Sequence, residues 1–278
     1  MHKKIAPRSA GVVMLIAAAV LWSTSGYFIK LVDWHPLAIA GMRSAIALVP
    51  IFILYGKPKK LSGCAEIGAA VCYSLTLLSF VSANKMTTAA NAILLQYSMP
   101  VYVIILSAPL LKEKIYPKDV ATVFVVFFGL VLFFFDKLDA TGALGNVIAL
   151  VSGVTLALMV IFLRMQKDKA PINSVLWGNI FTAAAGLPFY FTNGTPGAVS
   201  WAGLVFLGVF QLGFAYILYA KALKHVSTVE TALYPMIEPL LNPMLVAVLT
   251  GEVPGVFPLV GGAVVLAGVA ANILVRKK

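Results

Sequence analysis

The stretch ANKMTTAANAILLQYSMPVYVIILSAPLLKE, from Ala83 to Glu113, lies without a gap over ALKHVSTVETALYPMIEPLLNPMLVAVLTGE, from Ala222 to Glu252. The offset is 139 residues, half of the 278-residue chain, and it pairs Lys85 with Lys224, Leu94 with Leu233, Pro100 with Pro239 and Glu113 with Glu252. Apolar chains produce many matches by composition alone. A lysine, a proline and a glutamate sharing one offset are harder to obtain that way, so the chain reads as a duplication, and an internal repeat constrains a fold more than a single motif does.

Hydrophobic residues make up 61% of the chain and charged residues only 11%, with a mean hydropathy of +0.96. Soluble globular domains do not have this composition. A hydrocarbon slab about 30 Å thick takes roughly 20 apolar residues per helix. Ten such stretches fit: 11–31, 36–55, 64–84, 88–110, 117–135, 142–164, 172–191, 200–222, 228–250 and 255–275. Alternating strand patterns are absent, so the expectation is an all-α integral membrane protein rather than a barrel.

The net charge of +11 would suit nucleic acid, but its distribution does not. With the N-terminus cytoplasmic, 17 of the 21 basic residues fall on that side, including Lys57, Lys59 and Lys60, Lys112, Lys114 and Lys118, and Arg276, Lys277 and Lys278. Lys30, Lys85 and Lys137 fall outside, and Arg43 within a helix. The positive-inside rule then puts both termini in the cytoplasm. Five spans per half is an odd number, so residues 140–278 enter the membrane from the opposite side to residues 1–139. The reading is ten transmembrane helices in two inverted five-helix repeats, a recurrent plan for secondary transporters with a midplane substrate site where the repeats meet.

Several other readings end early. The basic start followed by an apolar run reads as a retained signal-anchor helix. Cys64 and Cys72 define no disulfide or metal framework. His2, His35 and His225 have no ligand partner at metal spacing, and neither metal nor cofactor is expected. Asn193-Gly194-Thr195 has the form of a glycosylation acceptor. No phosphate-binding loop points to an ATP-driven pump. An integral-membrane enzyme would need a nucleophile and base near the interface, and no His or Asp grouping supplies them, so the chain is read as a non-enzyme. The carboxylate and prolines described next would be surplus in a passive scaffold or receptor.

The polar content of the spans is uneven. The fifth, around Phe124 and Phe127, and the tenth, around Val264 and Leu266, carry almost nothing polar at their centres. They are expected to face lipid, pack outside or form a homodimer contact, with Gly129 and Gly268 permitting close approach. Glu238 lies about ten residues into the ninth span, where an ionisable group costs upwards of about 2.5 kcal/mol unless paired or hydrated. Around it Pro235, Pro239 and Pro243, at intervals of four, share one helix face, and Asn242 follows one turn on. Each proline removes a donor and frees a carbonyl, which is tolerated beside a polar cavity. Arg43 is the basic residue embedded in a span. Its guanidinium should meet Glu238, backbone carbonyls or a substrate carboxylate, or snorkel the roughly 10 Å to the outer interface. Trp22, Tyr73, Gln96, Tyr97, Trp177 and Gln211 reach similar depth and complete the expected substrate-binding set with Arg43, Glu238 and Asn242.

Leu21-Trp22-Ser23-Thr24-Ser25-Gly26, Gly41-Met42-Arg43-Ser44-Ala45, Tyr97-Ser98-Met99-Pro100 followed by Lys112-Glu113-Lys114, and Ile237-Glu238-Pro239 followed by Thr250-Gly251-Glu252 resemble the EamA-type drug/metabolite transporters. The resemblance covers essentially the whole chain. It implies two inverted five-helix repeats, a central cavity lined mainly by spans one, three, four, six, eight and nine, and transport of amino acids, amines or other metabolites, often outward. Glu113 and Glu252 would then be structural caps or gate contacts. The expected partners are a small-molecule substrate and membrane lipid, in the plasma or inner membrane.

Overall fold

The computed structural model describes residues 7–87, 89–138, 142–166, 168–192, 194–241 and 255–275. Among them every regular element is helical: α1 (Pro7–Ser23), α2 (Ser25–Leu31), α3 (Pro36–Tyr55), α4 (Cys64–Met86), α5 (Ala89–Gln96), α6 (Met99–Leu111), α7 (Pro117–Phe134), α8 (Ala143–Met165), α9 (Pro171–Gly186), α10 (Ala198–Phe206), α11 (Ala215–Ala222), α12 (Thr228–Leu233) and α13 (Val256–Val275). Proline opens α3, α7 and α9, where its missing N–H costs nothing and its fixed φ suits the first turn. The described residues hold seven helical runs long and apolar enough to cross a membrane: Pro36–Tyr55, Cys64–Asn84, Asn91–Leu111, Pro117–Phe134, Ala143–Met165, Ala198–Ala222 and Val256–Leu274. Pro7–Ser23 is a shorter apolar helix.

Three expected spans differ from this set for local reasons. The first, 11–31, is divided at Thr24. There Ser23 Oγ donates to the Val20 carbonyl at 2.7 Å and Thr24 Oγ1 to the Leu21 carbonyl at 2.6 Å, and such back-bonding competes with the helical ladder. The seventh stops as a regular helix at Gly186 and passes into a 3-10 turn, Leu187–Phe189, that contains Pro188. The ninth begins as the six-residue α12, tightens to a 3-10 turn at Tyr234–Ile237 and is helical again over 238–241. Asn242, Pro243 and Glu252 lie outside the described residues.

Packing is built on a few long contacts. α4 lies along α8 and α9, α3 along α9 and the π-helical segment Leu207–Phe214, α1 along α11, and α5 and α6 along α8. One large buried cluster runs through these helices, from Leu15 and Tyr73 to Met159, Tyr219 and Tyr234. α7 and α13 pair with each other. A Cβ on Gly268 would come within 2.8 Å of Val126, and one on Gly129 within 2.9 Å of Val265, so these glycines permit a close approach inside the chain. Phe124, Phe128, Leu259 and Leu266 remain on the exposed outer faces.

Candidate functional site

A hollow of about 80 Å³ lies between α1, α3, α4, α8, α11 and α12, room for several waters at roughly 10–15 Å³ each. Four breaks in helical regularity border it. Trp22 and Ser25 flank the Thr24 break. Gln96, Tyr97 and Met99 flank the break between α5 and α6, where Ser98 Oγ donates back to the Leu95 carbonyl at 2.5 Å and Pro100 lacks a donor. Gln211 and Leu212 come from the π-helical segment, and Pro235 and Glu238 from the 3-10 turn and its exit. Backbone irregularity at membrane depth is tolerated where it lines a cavity or is buried in protein. The interruptions therefore lie where the polar groups are.

Glu238 accepts a hydrogen bond from the Tyr97 hydroxyl. Arg43 is 2% exposed and forms no hydrogen bond or ion pair with any described residue, its Nε being buried without a partner. Pairing with Glu238, one of the expectations for Arg43, is not present, since the ion pairs among the described residues, within 4.0 Å, are Arg8–Glu230 and Arg164–Glu113. Nor does Arg43 snorkel: it turns into the hollow. Gln211 Oε1 and Trp22 Nε1 are likewise buried without partners.

Rings form one wall. Trp22 packs against Tyr216 at 5.0 Å and Tyr219 at 5.4 Å, and Tyr73 meets the edge of Tyr216 at 4.7 Å. Tyr73 stands behind the hollow and donates to Asn179 Oδ1 at 3.3 Å. Hydrogen bonds from Gln96 to Ser152 at 2.7 Å and from Thr76 to Thr155 at 2.9 Å fix the α4–α5–α8 side.

Of the expected site residues, Trp22, Arg43, Gln96, Tyr97, Gln211 and Glu238 line one hollow and Tyr73 backs it. Trp177 does not reach it. Its indole donates to the Lys59 carbonyl at 2.8 Å, on the face of α9 that meets the α3–α4 connection, while Asn179 takes the inward face. Tyr216, Tyr219, Met159 and Thr231 line the hollow and were not anticipated. The spacing of Tyr216 and Tyr219, three residues apart in an apolar span, was the available signal.

Two ionic clusters stitch helix ends together. Glu113, after α6, pairs with Arg164 of α8 at 2.9 Å and accepts from Thr228 Oγ1 at 2.9 Å, while Arg164 also donates to the Leu223 carbonyl. Burial pushes the Glu113 carboxyl up, but the bonds and charge of Arg164 with the bonds from Thr228 outweigh it and hold the group below its usual value. Arg8 of α1 pairs with Glu230 at 2.6 Å, Glu230 closes a capping box with Ser227, and Tyr234 bridges Glu230 to Asn272 of α13.

The model of the EamA-like transporter family matches residues 9–135 and 143–274. The chain belongs to the EamA-like transporter family. An "Uncharacterized transporter" of Archaeoglobus fulgidus is 28% identical over 264 residues, covering 93% of this chain and 94% of that protein. The "Uncharacterized transporter YoaV" of Bacillus subtilis is 24% identical over 283 residues, covering 93% and 94%. A crystal structure 18% identical in sequence superposes with a TM-score of 0.84 over 96% of this chain and 99% of its own, a likeness of fold. With several helices of membrane-crossing length, this EamA-like chain is a multi-pass membrane protein.

Proposed function

We propose that the chain is a secondary transporter that carries small metabolites, amino acids or related amines, through the central hollow by alternating access, with export as its direction. The observation that carries this reading is one hollow holding Glu238, paired with a hydroxyl rather than a cation, and Arg43 with no described partner. Charges left unsatisfied by the protein at membrane depth are costly, and a ligand carrying both signs satisfies them. Glu238 neutralises a ligand ammonium or carries a coupling proton. Arg43 holds a carboxylate.

The architecture we infer is ten spans in two inverted five-helix repeats, 1–139 and 140–278, in the plasma or inner membrane with both termini cytoplasmic. The packing pattern supports a two-fold relation between the halves, and the direction of one helix pair supports its inversion. α4 packs on α8 and α9, and after exchange of the halves α10–α11 with its π-helical segment packs on α1 and α3. In the α7–α13 pair the Val126–Gly268 approach and the Gly129–Val265 approach are each other's images under the 139-residue offset. Along the same pair Val126, Gly129 and Phe133 meet Gly268, Val265 and Gly261 in turn, so the two helices run antiparallel, as inverted repeats require.

The test is counterflow of labelled amino acids into proteoliposomes, comparing the native chain with Glu238→Gln. Accumulation by the native chain whose rate or pH dependence changes in the variant supports the reading. No counterflow of any amino acid or amine contradicts it, and unchanged rates at every pH remove Glu238 from the mechanism.

A further inference from the structure

We propose that the part of the hollow bounded by α1, α3 and the π-helical segment is a subsite for an oxyanion with an adjacent ammonium, the head group of an α-amino acid, and that it is separate from Glu238. The proposal rests on the transporter reading above and narrows it to substrates that keep their carboxylate. Three residues that line this region each hold a buried polar atom without a partner: Trp22 Nε1, Arg43 Nε and Gln211 Oε1. Arg43 is 2% and Gln211 7% exposed, so both side chains are almost wholly enclosed by protein. Buried polar groups in native structures are almost always satisfied, and an exception calls for a functional explanation.

The chemistry of the three atoms is specific. Indole and guanidinium nitrogens only donate, so Trp22 and Arg43 together complement negative oxygen. Gln211 Oε1 only accepts, so it complements an N–H. An α-amino acid presents both on neighbouring atoms. A simple amine leaves the two donors unsatisfied, and a simple carboxylate leaves Gln211 unsatisfied. Glu238 and its Tyr97 partner belong to other elements, the segment after α12 and the α5–α6 break, so of the two roles given above Glu238 takes the coupling proton, or the ammonium of a basic side chain, and not the α-ammonium.

The π-helical segment gives Gln211 its place. π turns widen a helix and occur often at functional sites. A Cβ on Gly208 would lie 2.8 Å from the Arg43 carbonyl oxygen and 2.5 Å from Ile46, so the segment rests directly on the turn of α3 that carries Arg43. Gln211 and Arg43 are thus carried by two elements in contact, and the segment that places Gln211 is a specificity determinant. Phosphoryl head groups of lipids share the same chemistry, but a hollow of about 80 Å³ favours a free metabolite.

Ligand-induced thermal stabilisation of the purified full chain in detergent tests this. The probes are the common L-amino acids, the amide, decarboxylated amine and deaminated acid of each, and phosphoethanolamine. We expect stabilising amino acids to half-saturate at concentrations at least roughly tenfold below those of their amides and amines. Gln211→Leu, which changes no charge, weakens the amino acid by a similar factor and leaves the deaminated acid unchanged. Arg43→Gln abolishes the preference for the acid over its amide, and if that variant does not fold, Gln211→Leu decides. An amine, an amide or phosphoethanolamine binding as tightly as the amino acid overturns the proposal, as does a panel in which no amino acid binds. Amino acids that rank as expected but are not exchanged in counterflow overturn the transporter reading and leave the subsite standing.

Discussion

Tyr97 and Glu238 meet across the hollow because the α5–α6 break and the 3-10 turn after α12 both turn polar groups inward at that depth. Removing the hydroxyl in Tyr97→Phe leaves the carboxyl without its described donor, which costs about 1–3 kcal/mol for a buried group. The expected outcome is a lower melting temperature of the purified protein and slower counterflow, while Tyr102→Phe, with no described hydrogen bond, leaves both unchanged. At this scale Glu238 and Arg43 were legible in sequence because charge at membrane depth is costly enough to stand out. Gln96 and Gln211 were legible for the same reason in weaker form. Trp177 was not, since depth along a helix says nothing about rotation around it, and rotation aims its indole at the Lys59 carbonyl. Tyr216 and Tyr219 were hidden among apolar neighbours, in a span whose π-helical turn alters the facing of every residue beyond it.

The elements are held in register by contacts at their ends and by glycines along their length. Gly208→Ala pushes a methyl group against Ile46 and the Arg43 carbonyl. Overpacking of this kind costs roughly 1–3 kcal/mol. We expect a destabilised chain whose amino-acid affinity also falls, because the strain displaces the segment carrying Gln211; Gly63→Ala, with open space around it, leaves the affinity unchanged. At the helix ends, Glu113 joins α6 and α8 to the start of α12. Its folded value is depressed, so its contribution is complete above the ordinary carboxylate range of about 4.3 and is lost as pH falls through the lowered value. Glu113→Gln is therefore less stable than the native chain at neutral pH, and thermal melts at decreasing pH should show the gap closing once the native carboxyl is protonated. A gap of constant size down to the most acidic pH would remove the ion pair as its cause. Pro100 and Pro235 made two of the helix breaks foreseeable, whereas the Thr24 break is accompanied by hydroxyl back-bonding and the π-helical turn by contact with α3, which periodicity does not register.

For the whole molecule, composition was sufficient to read a helical membrane protein, and the 139-residue offset is the ground for proposing two related halves. The family match and the helices of membrane-crossing length bear out the first. How the halves close around a common hollow was not legible, because it depends on which face each helix turns to its neighbours. Alternating access requires that this one hollow communicate in turn with both sides of the membrane. Met159 lines it from α8 without a polar contact of its own. In a chain carrying Met159→Cys with Cys64→Ser and Cys72→Ser, a membrane-impermeant thiol reagent applied to sealed vesicles of either orientation should modify the cysteine from both faces, more slowly when a transported amino acid is present. Modification from one face alone, or from neither, contradicts alternating access.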